Sequence, residues 1–324
     1  MNKVAVLNEK DRAELFSETA ARKGMNSAAI EKDFWICWVL MKIFEHDELK
    51  NNLRFKGGTS LSKCFNIIER FSEDIDLVLN WSELTEVDLF EKRTRNQQNK
   101  LNEKINRLAI KYIYENLLPI FKNLMEPLCV VNVDLSNGHQ VNIEYPKSFG
   151  DLYINPFIKL EIGPMGSMVP SAEYTISPYS AEDFPELFEQ KDVNVISIQA
   201  KRTFWEKITI LHAESYRSIP RPRYSRHYYD VYQMTHTKIR NEAIKDLKLL
   251  EDVVRFKDKF YYSASAKYDL AKPGTFNLVP DQSAIKLLIR DYEQMREMIF
   301  GEYPDFISII DRIKEIQDKL NGMI

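Results

Sequence analysis

Apolar and polar positions change period along this chain, and the change divides it near residue 200. Before that point, short stretches alternating with period two are interspersed with stretches of helical period; beyond it the pattern is helical throughout. Asn8 is placed to cap a first helix and Ser27 a second reaching about residue 46, with Phe34, Trp35, Trp38 and Leu40 buried. Strands are expected at 53–56, 74–79, near 157–162 and at 193–198, with a helix over 59–69 between the first two. Leu101, Ile105, Leu108 and Tyr112 mark an amphipathic helix over 99–121. Alternating segments 129–135 and 140–145 flank Asn137-Gly138, a hairpin signal. Residues 177–185 read as a loop.

After residue 200, a helix is expected over 201–216, followed by the proline-rich turn Ile219-Pro220-Arg221-Pro222-Arg223 and another helix. Ile285, Leu288, Tyr292, Met295 and Ile299 share one helical stripe, and Pro304 opens a last helix with Ile309, Ile313, Ile316 and Leu320 inward. The pattern predicts an α+β protein: a mixed-sheet domain over 1–199 and a helical domain over 200–324.

Composition narrows the class. With 324 residues, 44% hydrophobic, the chain is long enough for two domains and a substantial core. Its three cysteines, Cys37, Cys64 and Cys129, are widely spaced, which fits neither a disulfide framework nor a zinc site and suits a reducing, cytoplasmic compartment. The longest apolar run, 34–41, falls well below the roughly 18 residues that cross a bilayer, and the N-terminal apolar run is too short for a secretion signal. No membrane association is expected. The net charge of −3 hides local basic segments: seven lysines and arginines against two acids over 91–111, and four arginines without an acid over 217–226. Such patches can steer a polyanion, although a solvated helix face explains the first equally simply.

Two adjacent motifs carry the chemistry. Lys56-Gly57-Gly58-Thr59-Ser60-Leu61-Ser62-Lys63 opens a helix with a glycine pair, where backbone can approach a phosphate and helix N–H groups face it. The spacing of a Walker loop is missing. Arg70-Phe71-Ser72-Glu73-Asp74-Ile75-Asp76-Leu77 places Asp74 and Asp76 on one face of a strand, with Ile75 and Leu77 toward the core. Each motif alone has an ordinary explanation, a turn or solvated strand-end acids. Together they provide oxygen ligands for Mg²⁺ beside a triphosphate cradle, which suggests phosphoryl or nucleotidyl transfer. A third carboxylate is sought on a neighbouring strand: Glu161, sharing a face with Lys159, is the candidate, with an edge-strand ion pair as the alternative and Glu144 as a competitor.

In order and joint occurrence, Phe55-Lys56-Gly57-Gly58-Thr59-Ser60-Leu61 and the Arg70–Leu77 stretch resemble the AbiEii toxin family of nucleotidyltransferases, relatives of DNA polymerase β. Ile30-Glu31-Lys32-Asp33-Phe34-Trp35, Lys201-Arg202-Thr203-Phe204-Trp205-Glu206-Lys207 and Ser225-Arg226-His227-Tyr228-Tyr229-Asp230-Val231-Tyr232 extend the resemblance over residues 30–232. It implies a polymerase β-like sheet flanked by helices, then a helical bundle contributing Lys207 and Asp230 to the site. Gly57, Gly58, Thr59 and Ser60 would cradle the triphosphate of an NTP, with Lys63 and Lys159 among the nucleotide contacts. Asp74 and Asp76 would hold Mg²⁺, Lys207 would contact the phosphates, and Asp230 would be a further essential acid. Asp230 or Glu161 could accept the proton of the attacking hydroxyl. The family transfers nucleotides onto RNA, notably tRNA, alongside a cognate AbiEi-like antitoxin, and some members act in phage defence.

Read from the residues alone, several of these positions keep plainer alternatives. Lys207 could be a solvated lysine beside Glu206. Arg226 and Asp230, four apart on a helix, could simply pair at its surface. His227 could be a base or a histidine packed among tyrosines, and His212 has the same two readings. An acceptor that is a protein or small molecule, or a non-catalytic nucleotide- or RNA-binding module, would use the same carboxylates.

Overall fold

A computed structural model describes residues 1–150, 154–164 and 166–323. The chain forms two compact units, one of Met1–Cys64, Phe71–Glu91 and Arg95–Ile198, the other of Phe65–Arg70, Lys92–Thr94 and Gln199–Ile324.

The first unit is built on a seven-stranded mixed sheet. Its strands are β1 (Leu53–Lys56), β2 (Asp74–Leu79), β3 (Val130–Val133), β4 (Gln140–Glu144), β5 (Ile158–Gly163), β6 (Ser171–Ile176) and β7 (Val193–Ile198), in the spatial order β3-β4-β5-β2-β1-β7-β6. The central β2 pairs antiparallel with β1 and parallel with β5. Beneath the sheet lies the Ser27–Phe44 helix, buried on nearly every side, as its apolar sequence demands. Its rings pack edge-on or stacked: Trp35 lies 5.5 Å from Trp38 and 5.7 Å from Tyr145.

Three consecutive charges, Glu31, Lys32 and Asp33, are nonetheless buried on this helix. Each has partners, as burial of a charge requires. Glu31 accepts from the backbone N–H of Ser148 (2.7 Å) and Phe149 (3.2 Å). Asp33 accepts from the Lys63 ammonium (2.8 Å) and the Tyr179 N–H (2.9 Å).

The expected strands and the hairpin form, and Asn8 caps the Glu9–Lys23 helix through the Asp11 N–H. Several local readings change. Asn26 rather than Ser27 caps the next helix. The helix after the glycine pair ends at Lys63, because Asn66 turns left-handed (φ 50°) and the chain leaves for the second unit. Residues 179–183 form a short helix whose first N–H meets the Asp33 carboxylate, instead of a loop. Strand β6 escapes the alternation rule because it is an edge strand that buries only Ile176. A π-helical turn, Ile113–Leu117, also interrupts the long amphipathic helix, so the buried stripe becomes Ile105, Ala109, Ile113, Leu117 and Phe121.

The second unit is helical. The Ala200–Glu214, Ser225–Thr235, Leu247–Phe260, Gln282–Glu293 and Phe306–Asn321 helices bury Phe204, Trp205, Tyr228, Tyr229, Leu288 and Ile313. The last helix begins at Phe306 with Asp305 as its cap, so Pro304 precedes it instead of opening it, and Ile309, Ile313, Ile316 and Leu320 point inward as expected. No described helix is long and apolar enough to cross a membrane.

Candidate active site

Alternation along β2 sorts its side chains. Ile75 and Leu77 are buried in the core, whereas Asp74 and Asp76 stand half-buried on the other face. Sheet register then sets their neighbours. Asp76 lies between Lys56 of β1 and Glu161 of β5, and Asp74 lies beside Lys159. The Lys159 ammonium is 3.7 Å from Asp74 Oδ1 and 3.9 Å from Glu161 Oε1. Glu144, the competitor, sits past Asn142 on β4, which is separated from β2 by β5. The register therefore favours Glu161 over Glu144 as the acid next to the pair.

Asp74 Oδ1 is shielded from water and has no hydrogen-bond donor. Burial raises the Asp74 pKa; Lys159 opposes the rise, and the negative charges of Glu73 and Asp76 add to it. Asp74 Oδ1 without a donor, next to a second carboxylate, can take a cation in addition to the nearby Lys159. Mg²⁺ is commonly held by one or two carboxylates plus substrate phosphates, so this donor set fits it. Among the described residues no group of three or more His, Cys, Asp or Glu gathers into a metal cage, so the fit is that of a two-carboxylate site.

The glycine pair follows β1 directly. Gly57 adopts φ +81°, and a Cβ there would lie 2.7 Å from Asp76 Cγ and closer still to Oδ2. The absence of a side chain at 57 is thus what lets the loop backbone lie against the Asp76 carboxylate. Thr59 and Ser60, expected to offer hydroxyls to a phosphate, are buried with internal partners. Thr59 Oγ1 donates to the Asp74 carbonyl and lies 3.0 Å from Ser72 Oγ, while Ser60 Oγ donates to the Gly57 carbonyl at 2.9 Å. These hydroxyls fix the loop to the start of β2. Lys63 likewise spends its ammonium on Asp33 and on the Tyr179 ring face, 4.0 Å from the centroid.

The second unit holds its own charged centre. Asp230 is fully buried and receives a two-pronged contact from Arg70 (Nε 2.7 Å, Nη2 2.8 Å) as well as the Lys207 ammonium at 2.7 Å. Burial alone would raise its pKa, but Arg70 and Lys207 outweigh burial and hold the carboxyl well below the usual carboxylate range. Lys207 is buried, not solvated beside Glu206, and Asp230 is held from the core side rather than forming a helix-surface pair. His227 Nδ1 lies 3.4 Å from the Lys207 ammonium, and its ring meets Tyr224 edge-on. Burial, with the charges of Lys207 and Arg226, pushes the His227 pKa well below the ordinary histidine value. His212 is structural: it is buried, Nδ1 accepts from the Asn277 N–H and Nε2 lies 3.0 Å from the Lys267 carbonyl.

Arg70 is the residue that sequence reasoning overlooked. It stands in the same motif as the two aspartates, and its burial at 4% exposure marks it as a partner to a hidden acid.

No curated protein matches the chain in sequence. Among solved structures, the nucleotidyltransferase toxin MenT4 of Mycobacterium tuberculosis H37Rv is similar at 14% identity and a TM-score of 0.44, covering 96% of this chain and 97% of that one. The family model described as nucleotidyl transferase AbiEii toxin, type IV toxin–antitoxin system, matches residues 38–321. With nearly its whole length matched, the chain belongs to the AbiEii family of nucleotidyltransferase toxins.

Proposed function

We propose that the chain transfers a nucleoside monophosphate from an NTP to the 3′ end of RNA, with tRNA as the acceptor and Mg²⁺ as the cofactor. The observation that carries this reading is the pair of β2 carboxylates set against the Gly57-Gly58 backbone. Asp74 and Asp76 would hold the metal, which supplies charge stabilisation at the triphosphate and acidifies the attacking hydroxyl. Lys159, between Asp74 and Glu161, offsets negative charge on the same face. Glu161 is the better candidate for proton acceptor. Asp230 has its charge committed to Arg70 and Lys207, which makes it a weak base. We assign Asp230 to positioning Lys207, in a centre whose two cations and one anion leave a net positive charge suited to an anionic substrate.

The exposed Lys100, Lys104 and Arg107 on the Arg95–Tyr112 helix supply a positive face for an RNA backbone. The Arg217–Arg226 loop is less free, because buried Glu214 holds Arg221 at 3.1 Å and Arg217 at 3.8 Å. Blocked growth, an AbiEi-like antitoxin and a role in phage defence complete the proposal.

Incubation with each α-labelled NTP, Mg²⁺ and total tRNA tests the acceptor. The expected result is label in the tRNA band, lost when EDTA is present. Label confined to the protein or to small molecules would refute RNA as the acceptor, and transfer undiminished by EDTA would refute the metal.

A further inference from the structure

The Glu31-Lys32-Asp33 triplet contains a buried cation that the chemistry above does not use. Lys32 has a fully buried side chain in the middle of the core helix, where an unpaired ammonium would be strongly disfavoured. Its Nζ donates to Glu73 Oε2 at 2.9 Å and to the Asn155 carbonyl at 3.0 Å. The Asn155 N–H donates to the same Glu73 oxygen at 2.9 Å. Three segments thus close into one hydrogen-bonded ring: the core helix, the residue before β2, and the segment leading into β5.

The place of this ring matters more than its strength. Glu73 immediately precedes Asp74, and Asn155 lies three residues ahead of Ile158, where β5 begins. Directly downstream, Asp74 pairs in register with Lys159 and Asp76 with Glu161. The ring therefore ties together, at their entry, the two strands whose spacing sets the distance between the carboxylate pair and the Lys159–Glu161 pair. Lys32 also cancels the charge of Glu73, which would otherwise add a third negative charge next to Asp74 and Asp76. Replacing both members of a buried ion pair by apolar residues is often neutral for stability, so packing alone does not explain a Lys32–Glu73 pair here.

We propose that Lys32, Glu73 and Asn155 form a positioning clamp that sets the geometry and charge of the Asp74–Asp76 site for its divalent cation. The inference rests on the reading of Asp74 and Asp76 as metal ligands. Lys32 and Glu73 act through the aspartates and touch no substrate themselves.

Lys32→Met alone strands a buried Glu73 carboxylate and is expected to fold poorly, so the test uses Lys32→Met combined with Glu73→Gln. The amide oxygen introduced by Glu73→Gln can still accept from the Asn155 N–H, and both charges are gone. Mn²⁺ binding to the protein is read by the loss of the free-ion spin-resonance signal without NTP, which would itself sequester the ion, alongside labelling of total tRNA with each NTP. The double variant is expected to bind Mn²⁺ about 10-fold more weakly and to turn over about 10-fold more slowly, with the KM for NTP little changed. A structural role alone would lower the folded fraction without changing the Mn²⁺ affinity of the folded protein. If the double variant does not fold, Glu73→Gln alone is read in the same way. Wild-type Mn²⁺ affinity and turnover in a folded variant would overturn the clamp. Asp74→Asn is run in parallel: if it also binds Mn²⁺ and turns over normally, the reading of the carboxylate site itself fails; if it is inactive while the clamp variants behave as wild type, only the clamp fails.

Discussion

Replacing Asp230 with alanine is expected to unfold the protein or leave it barely folded at 37 °C. The carboxylate is fully buried and is the shared counter-ion of Arg70 and Lys207, both nearly buried themselves. Removing it leaves two cations facing each other away from water. Breaking a buried pair by deleting one partner costs roughly 3–5 kcal/mol, a large part of the roughly 5–15 kcal/mol that stabilises a typical domain. Urea unfolding monitored by tryptophan fluorescence measures this directly. Asp230→Asn should cost less, since the amide oxygen can still accept from Arg70. An Asp230→Ala protein with the wild-type urea midpoint would show that the centre does not stabilise the fold.

The pH dependence of this contribution has a definite sign. The folded Asp230 pKa is depressed, so its stabilisation is fully present above the unfolded value of about 3.9 and is lost as pH falls through the lower folded value. Between pH 5 and 8 the Asp230 centre should therefore contribute a constant amount. The contribution of the ionised Asp230 carboxylate itself should add no pH dependence across that window and shrink only in strong acid, read from urea midpoints of wild type and Asp230→Asn.

Gly57→Ala is expected to damage the site and the fold together. The backbone at 57 is left-handed at φ +81°, where an L-residue costs roughly 1–2 kcal/mol. The larger effect is steric, because the added methyl group would overlap the Asp76 carboxylate. Either the loop lifts away from β2 or Asp76 swings out of its rotamer, and both displace a proposed metal ligand. Transfer activity should fall by at least about 100-fold, with a Tm loss of several degrees. Gly58→Ala, within the helical turn and outside the positive-φ region, should be the milder change. Equal activity for Gly57→Ala and wild type would contradict the close approach of loop and carboxylate.

Much of this architecture is legible in the residues. Strand β2 stands out because Ile75, Leu77 and Leu79 share one face while Asp74 and Asp76 share the other. The last helix is clear from Ile309, Ile313, Ile316 and Leu320, a stripe that tolerates no other period. Strand β6 is illegible because an edge strand with one buried residue has little hydrophobic pattern to read. Within the candidate site, Asp74, Asp76 and the glycine pair can be placed by local rules of alternation and turn geometry. The partners of Asp230 cannot, since Arg70 lies 160 residues away in sequence and only tertiary folding brings the two together. For the same reason the hydroxyls of Thr59 and Ser60 look free to meet a phosphate, although backbone acceptors at Asp74 and Gly57 claim them.

The central claim is that the β2 carboxylates hold a metal for nucleotidyl transfer and are not there for stability. Asp74→Asn tests it most directly, with Tm and incorporation of label from NTP measured on the same preparation. Asp74 has a raised pKa and an oxygen without a donor, so neutralising it relieves a cost of folding at neutral pH. The account predicts a Tm equal to wild type or higher by about 1–3 °C, with Mg²⁺-dependent incorporation reduced at least about 1,000-fold. A folded Asp74→Asn protein that still transfers nucleotides at the wild-type rate would contradict it.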